Sequence, residues 1–432
     1  MKPFKVNLWN GDRIKVLSEM TFNMKKLFTL GELYVSDFIK QNEEARAGKH
    51  DLTLMIDERY GAARLEKCTP IHSMFGKYWY RSGVNTTMKK ELSDIVDNIL
   101  KVQHLDRNDL WLDIACNDGT LLSYVPKHIN KLGIDPAEDS FTIESRRVAD
   151  DVIQDYFTID SYQKSKFAGK KAKVITCIAM FYDLDEPIDF LKDVNEVLDD
   201  DGLFVIQMSY TPLMLKQLAF DNICHEHVYY WSLSSLQRLM SDAGLTIVDC
   251  QLNDVNGGSF RVYIKKEGSD ITKFATRPYR DVCNVRIEST LKWEETQFLD
   301  SKQTWLDFYQ GIENLKKQTV EFIREEKSKG KKICGYGAST KGNTLLQYFG
   351  LDHTLIDAIA ERSPYKYGHK TIGTNIPILS EDDVRNLNPD YMLVLPWHFI
   401  SEFIKREEEF LNRGGKFIVP CPKFEIIGKD GY

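Results

Sequence analysis

Short apolar, β-branched runs alternate with helical segments twice along this 432-residue chain. That alternation restricts it to parallel sheets covered by helices on both faces. The first series opens with LWLDIA at Leu110 and a helix from Thr120. It continues through KLGIDP, DVIQDYF, KVITCIAM, a helix near Pro187 to Leu198, and GLFVIQMSY. LTIVDCQL and GSFRVYIKK, joined by NDVNGG, read as an antiparallel pair closing the sheet's edge. A second series starts at KKICGYGAST and runs through LIDAIAE, IPILS, DYMLVLPW and KFIVPC. Residues 283–329 hold charged and apolar positions at helical spacing, without proline and with only Gly311, which predicts one or two connecting helices.

The length calls for two or three domains. Hydrophobic residues at 42% and charged residues at 28% are ordinary globular values. The start lacks the apolar run of a signal peptide, and no stretch is apolar enough to span a bilayer, so a cytoplasmic protein without membrane contact is expected. A net charge of −7 opposes a nucleic-acid footprint, which needs a basic field. Eight cysteines form no C-x-x-C pair, which nominates neither a zinc knuckle nor a thioredoxin-type site.

DIACNDGT, Asp113 to Thr120, follows an apolar strand and opens a helix, the place where polar groups of a nucleotide meet free backbone N–H groups. Only Gly119 is glycine, but Ala115 is small and Asn117 tolerates positive φ. Asp135, in GIDP at the end of the next strand, can accept both hydroxyls of a ribose. A dinucleotide and S-adenosylmethionine both fit such an acid. Asp113 and Asp118 beside the loop repel pyrophosphate and attract an ammonium and a sulfonium, which favours S-adenosylmethionine. The expected cofactor set also takes in Thr120 and Leu121, Pro136, and Ala179, Met180 and Phe181 after the fourth strand.

GYGASTKGNTLL joins a strand to a helix again, with Ser339, Thr340 and Lys341 offering hydroxyls, backbone N–H groups and a charge to an anion. A nucleotide diphosphate suits it. Asn343 and Lys366 join that set, and Glu361 is placed to accept from a base or ribose. Arg261, in NGGSFRVY, is a candidate for a phosphate or for an edge-strand salt bridge.

DIACNDGTLL, GIDP, CHEHVYY, NGGSFRVY and GYGASTKGNTLL, in that order, resemble the nucleotide-sugar C-methyltransferases, which methylate a carbon beside the ketone of an NDP-keto-deoxysugar. The resemblance runs from about Tyr78 to the C-terminus. It implies an α/β fold with a class I methyltransferase Rossmann-like sheet, a C-terminal Rossmann-like α/β domain for the sugar nucleotide, and a small N-terminal domain. The expected boundaries are 1–95 for that small lid, 96–268 for the S-adenosylmethionine domain, 269–330 for a helical connector and 331–432 for the substrate domain. By the same resemblance Tyr78, Tyr80, Arg81 and Ser82 cover the cofactor and sugar.

Three departures stand out. The family's N-terminal four-cysteine zinc site has only Cys68 here, so no metal is expected; Cys224 replaces a Tyr before H-E-H; and Tyr182 stands where a His follows the fourth strand.

Carbon methylation needs a base and a stabiliser for the enolate. By resemblance His227 is the base and Glu226 its neighbour, with Tyr182, Tyr229 or Tyr230 offering hydroxyls and Asn222 near the substrate. His225 is divided between a catalytic and a structural role. H-x-H on a strand turns both rings to one face, but no third ligand is at hand for a metal. An O-methyltransferase, an NAD(P)-dependent oxidoreductase and a non-catalytic sugar-nucleotide-binding protein are the alternatives, and the oligomeric state stays open.

Overall fold

The computed structural model describes residues 24–45, 48–69, 74 and 79–429. Near the N-terminus β1 (Met24–Tyr34), β2 (Phe38–Lys40), β3 (Lys49–Asp57) and β4 (Ala62–Leu65) follow one another. The first long helix, Thr86–Val102, is capped by the Asn85 side chain, which accepts from the backbone N–H groups of Thr87 and Met88. It buries Met88, Leu92, Ile95, Val96, Ile99 and Val102, the stripe that a 3.6-residue repeat lays on one face.

Next come β5 (Leu110–Ile114), β6 (Asn130–Ile134), β7 (Asp151–Ile153), β8 (Ala172–Ile178), β9 (Leu198–Ser209), the two-residue β10 (Tyr229–Tyr230), β11 (Leu245–Asn253) and β12 (Ser259–Lys266). Apart from β10 they form one seven-stranded sheet in the order β11-β12-β9-β8-β5-β6-β7. β12 is antiparallel to both neighbours; the other pairs are parallel. All five residues of β5 are buried, as a strand covered on both faces requires.

Helices Arg277–Glu295 and Lys302–Ser328 connect this sheet to the next. The first is anchored by Glu294, whose carboxylate accepts from Tyr210 Oη (2.6 Å) and from the backbone N–H groups of Leu233 (2.5 Å) and Ser234 (2.9 Å). Then follow β13 (Ile333–Tyr336), β14 (Ile359–Glu361), β15 (His369–Thr371), β16 (Ile378–Ser380), β17 (Tyr391–Val394), β18 (Lys416–Val419) and β19 (Glu425–Ile427). Six of them make the sheet β16-β14-β13-β17-β18-β19, parallel except at β19. Two α/β sheets of Rossmann-like type thus share the chain.

The N-terminal segment joins both. Its antiparallel sheet has the order β1-β3-β4-β10, so Tyr229 and Tyr230 leave the central part of the chain to pair with Arg64 and Ala63. β2 pairs with β15, Phe38 opposite Thr371. The stretch QNEEARAGKHD supplies the turn after β2 and the first residues of β3.

Strand order determines where a crevice can open. Helices leave β5 and β8 in opposite directions, and so do those after β13 and β17, so each sheet has a switch point at the carboxyl ends of that pair. The residues just beyond β8, β13 and β17 lie close enough for Lys341 to act electrostatically on Asp183 and His398.

Candidate active site

At the first switch point the loop after β5 holds Ala115 (φ 59°), Asn117 (φ 51°) and Gly119 (φ 77°) in the left-handed region. A Cβ on Gly119 would stand 2.8 Å from Ser145 Cα, so glycine is required by close approach as well as by φ. Asp118 caps the following helix, accepting from Thr120 N (3.1 Å) and Thr120 Oγ1 (2.6 Å) through one oxygen and from Gly83 N (2.7 Å) through the other. Asn117 Oδ1 accepts from Ser82 N at 3.1 Å and its Nδ2 donates to the Tyr80 carbonyl at 3.0 Å. The segment Tyr80–Gly83 is therefore fastened across the loop by backbone contacts. Tyr78 lies outside the described residues.

Asp113 and Asp135 carry the charge of this crevice. Thr176 Oγ1 donates to Asp113 Oδ1 at 2.6 Å, and Asp113 Oδ2 makes no hydrogen bond among the described residues. Burial pushes its carboxyl up to about 7, against the Thr176 hydrogen bond. Asp135 accepts from Asn117 N and Ala137 N, both at 2.7 Å, and burial again raises its pKa. Pro136 turns the chain beside it, half-buried, and Ala179 after β8 is also left-handed (φ 56°). The donor set fits S-adenosylmethionine: a buried carboxylate with a bare oxygen for the cationic end, and an acid at the second strand's tip for a ribose. Leu121 and Phe181, expected here, are core residues; Phe181 packs edge-on against Phe190 and leans on Trp231, and Met180 packs on the same core.

Phe220–Asn222 is a short 3-10 turn and Cys224–His227 continues as turns, not as a strand. The two histidines therefore diverge. His225 Nε2 lies 3.0 Å from the His50 carbonyl on β3, whereas His227 Nδ1 lies 2.8 Å from the Asn222 carbonyl. A carbonyl only accepts, so Nδ1 of His227 carries the proton and Nε2 is left as an acceptor with no partner among the described residues. The Tyr182 ring lies against this imidazole, centroids 4.1 Å apart. Burial, and after it the Lys341 charge, push His227 down to about 3. Tyr230 Oη reaches the same Asn222 carbonyl at 3.5 Å. Tyr229 faces away, bonded to Arg64 and Asp57 and stacked on Trp231.

The second switch point supplies residues that composition and spacing did not single out for catalysis. Lys341 Nζ donates to Asn222 Oδ1 at 2.5 Å, and its charge acts on His227. His398, just past β17, turns a buried Nδ1 without a partner into the same region, and burial with the Lys341 charge holds it down to about 3. Asp183 Oδ1, Asp221 Oδ1 and Glu226 Oε2 are likewise buried without partners among the described residues. Burial raises the pKa of all three. Position at the tips of the two central strand pairs is the signal that points to Asp183 and His398.

Most of the other residues expected at the sugar nucleotide are occupied within the protein. Ser339 caps the helix Thr340–Phe349 through Gly342 N, and Thr340 O accepts from Ser36 Oγ. Asn343 Nδ2 donates to Ser36 Oγ and the Asp37 carbonyl. Glu361 accepts from Ala338, Arg362 and Ser363 N, and Lys366 Nζ donates to the Ala338 carbonyl. Arg81 is paired with Glu144 at 2.9 Å over the Phe141 ring. Arg261 is buried in an ion-pair network with Glu91 and Asp94, so the salt-bridge alternative holds for it. Among the described residues no group of three or more His, Cys, Asp or Glu is placed to hold a metal ion, and no helix is long and apolar enough to cross a membrane.

This sheet order and this loop, with two acids at its strand tips, define a class I S-adenosylmethionine-dependent methyltransferase. Residues 84–249 match the methyltransferase domain model and residues 254–422 the C-methyltransferase C-terminal domain model. C-methyltransferase NovU of Streptomyces niveus is 30% identical over 358 residues, 83% of this chain and 83% of NovU. The chain belongs to that C-methyltransferase family. Sphingolipid C9-methyltransferase A of Emericella nidulans is 30% identical over 143 residues, 30% of this chain and 28% of its own length. A solved S-adenosylmethionine-dependent methyltransferase from Clostridium acetobutylicum aligns with 42% of this chain and 92% of its own, at 15% identity and a TM-score of 0.33.

Proposed function

We propose that this enzyme methylates a carbon beside the ketone of a nucleoside-diphosphate 4-keto-deoxysugar, with His227 removing the carbon-bound proton. The observation that carries the reading is the state of the imidazole. Its Nδ1 is committed to the Asn222 carbonyl and its neutral Nε2 has no partner among the described residues, which leaves that lone pair to accept a proton, while burial makes the ring a weaker base than a free imidazole. The surroundings suit a hydroxyl-rich guest: unpartnered atoms of Asp183, Asp221, Glu226 and His398 gather at the meeting of the two switch points, where native proteins leave few buried polar atoms unsatisfied. Glu226 and Asp183 are read as contacts to sugar hydroxyls, Tyr182 as the wall that fixes the base, and His225 as structural support.

S-adenosylmethionine, when bound, supplies an electrophilic methyl group. Asp113 and Asp135 hold its cationic end and ribose, and the fastened segment Tyr80–Gly83 keeps water from that side. A small-molecule substrate in the cytoplasm agrees with the acidic net charge. Replacing His227 with Ala tests the reading: affinity for S-adenosylhomocysteine stays and turnover is lost. Wild-type turnover in that variant removes His227 from the mechanism.

A further inference from the structure

Lys341 has an environment that a structural ion pair does not explain. It sits at the second position of the helix Thr340–Phe349, and its ammonium donates to Asn222 Oδ1 at 2.5 Å. Among the described residues no carboxylate oxygen comes within 4.0 Å of Nζ. An ammonium has three N–H donors, so two remain without an acceptor in a partly buried position. Burial lowers its pKa, against the charge of Asp221 and, less strongly, of Cys224 and Asp183, which favour the ammonium. Asp221 is itself held by Trp397 Nε1 at 3.1 Å.

Asn222 fixes the lysine and the base together. Its backbone carbonyl orients His227 and its side-chain oxygen holds Lys341. Their mutual effect in the resting enzyme is unfavourable to the base, because the nearby positive charge makes the imidazole harder to protonate. A cation placed there favours a step in which negative charge appears beside it.

Resting on the reading of His227 as the base, we propose that Lys341 is a second catalytic residue, whose ammonium receives the ketone oxygen of the substrate as it becomes an enolate oxyanion. His227 Nε2 takes the proton from the carbon beside the ketone. The C–H electron pair forms the C=C bond, and the carbonyl π pair moves onto oxygen, where the two free N–H groups of Lys341 hold it. Lys341 keeps its proton throughout. The nucleophilic carbon then bonds to the sulfonium methyl while the C=O bond re-forms; the S–CH₃ pair stays on sulfur, and the proton on His227 passes to water. Asn222 acts as a positioning residue for both groups.

The test is hydrogen exchange without methylation. Wild type, Lys341→Met, Lys341→Arg and His227→Ala are each loaded with S-adenosylhomocysteine and given dTDP-4-keto-6-deoxyglucose in D₂O, and deuterium at the carbon beside the ketone is followed by mass spectrometry. Lys341→Met is expected to bind S-adenosylhomocysteine as wild type does and to exchange about a hundredfold more slowly or worse, the usual cost of one oxyanion donor. Its kcat falls with a much smaller change in KM, and Lys341→Arg, which keeps a displaced charge, falls in between. Exchange in Lys341→Met within about threefold of wild type overturns the proposal. If wild type exchanges, His227→Ala does not and Lys341→Met does, only the lysine is wrong; if wild type itself does not exchange, the enolisation reading beneath it fails. Should Lys341→Met not fold, Lys341→Arg decides: it keeps charge and bulk, and unimpaired exchange in it contradicts an oxyanion contact of defined geometry.

Discussion

Asn222 holds His227 by its backbone oxygen, 2.8 Å from Nδ1, and this contact survives any change of the Asn222 side chain. The side chain serves Lys341 instead, so the two functions of one residue are separable. Asn222→Ala is expected to leave the His227 tautomer in place and to release the lysine. Turnover drops about tenfold or more, with S-adenosylhomocysteine affinity unchanged, the size expected when a positioning hydrogen bond is removed from a buried charge. Stopped turnover together with an altered His227 ring signal in NMR would contradict the separation.

The pH profile follows from the buried imidazole. His227 is held down to about 3 by burial and then by Lys341, so it is already neutral at neutral pH. The profile of kcat/KM is expected to show no acid limb from this group near its unperturbed pKa of about 6.5. In Lys341→Met one lowering cause is gone and the limb moves upward, so the variant has a stronger base and a slower reaction.

Asp113 gives the opposite sign. With its carboxyl up at about 7, it gains a proton as pH falls through that value and loses its attraction for a cation. Calorimetric affinity for S-adenosylmethionine should therefore decline below about pH 7 in wild type, and be weak and flat with pH in Asp113→Asn. Stability runs the other way. The folded pKa lies above the unfolded one, so the contribution of the protonated carboxyl is present at acid pH and is lost as pH rises from about 4 to about 7. Without cofactor, Asp113→Asn should melt above wild type at pH 8, a difference that vanishes well below the unfolded pKa.

Gly119 admits no side chain. At φ 77°, a Cβ meets Val148 Cγ2 at 2.7 Å and Ser145 Cα at 2.8 Å, and the second contact is backbone. Gly119→Ala is expected to cost about 2 kcal/mol in denaturant unfolding and to weaken S-adenosylhomocysteine binding together with it.

Glu294 tests a link remote from the chemistry. It is 4% exposed and accepts from three donors on two other elements. Glu294→Ala leaves the N–H groups of Leu233 and Ser234 unsatisfied, at about 1 to 3 kcal/mol for each buried group, and should lower the melting temperature while kcat of the folded fraction stays near wild type.

The alternation of strands and helices was readable because the runs from LWLDI to KFIV are short, apolar and continuous. The Asp113–Gly119 loop was readable because its residue types demand positive φ and charge at a strand tip. The four-stranded N-terminal sheet was not, since it is completed by two residues, Tyr229 and Tyr230, that come from far along the chain. Residue type says what chemistry a side chain can do, not where it points. Arg261 has the functional group for a phosphate, but its partners Glu91 and Asp94 are inside the protein. His225 and His227 would share a face in a strand, and in the turn they occupy they do not. Asp183, Asp221 and His398 needed the approach of loops from two different sheets, which sets Lys341 near all three.

A crystal structure with S-adenosylhomocysteine and the keto-sugar nucleotide tests the account most directly, because it measures the position of one carbon. His227 Nε2 is expected at about 3 to 3.5 Å from the carbon beside the ketone, the cofactor sulfur on the opposite face, and the ketone oxygen against Lys341. A sugar ring bound with that carbon out of reach of Nε2, or with both groups on the same face, would contradict it.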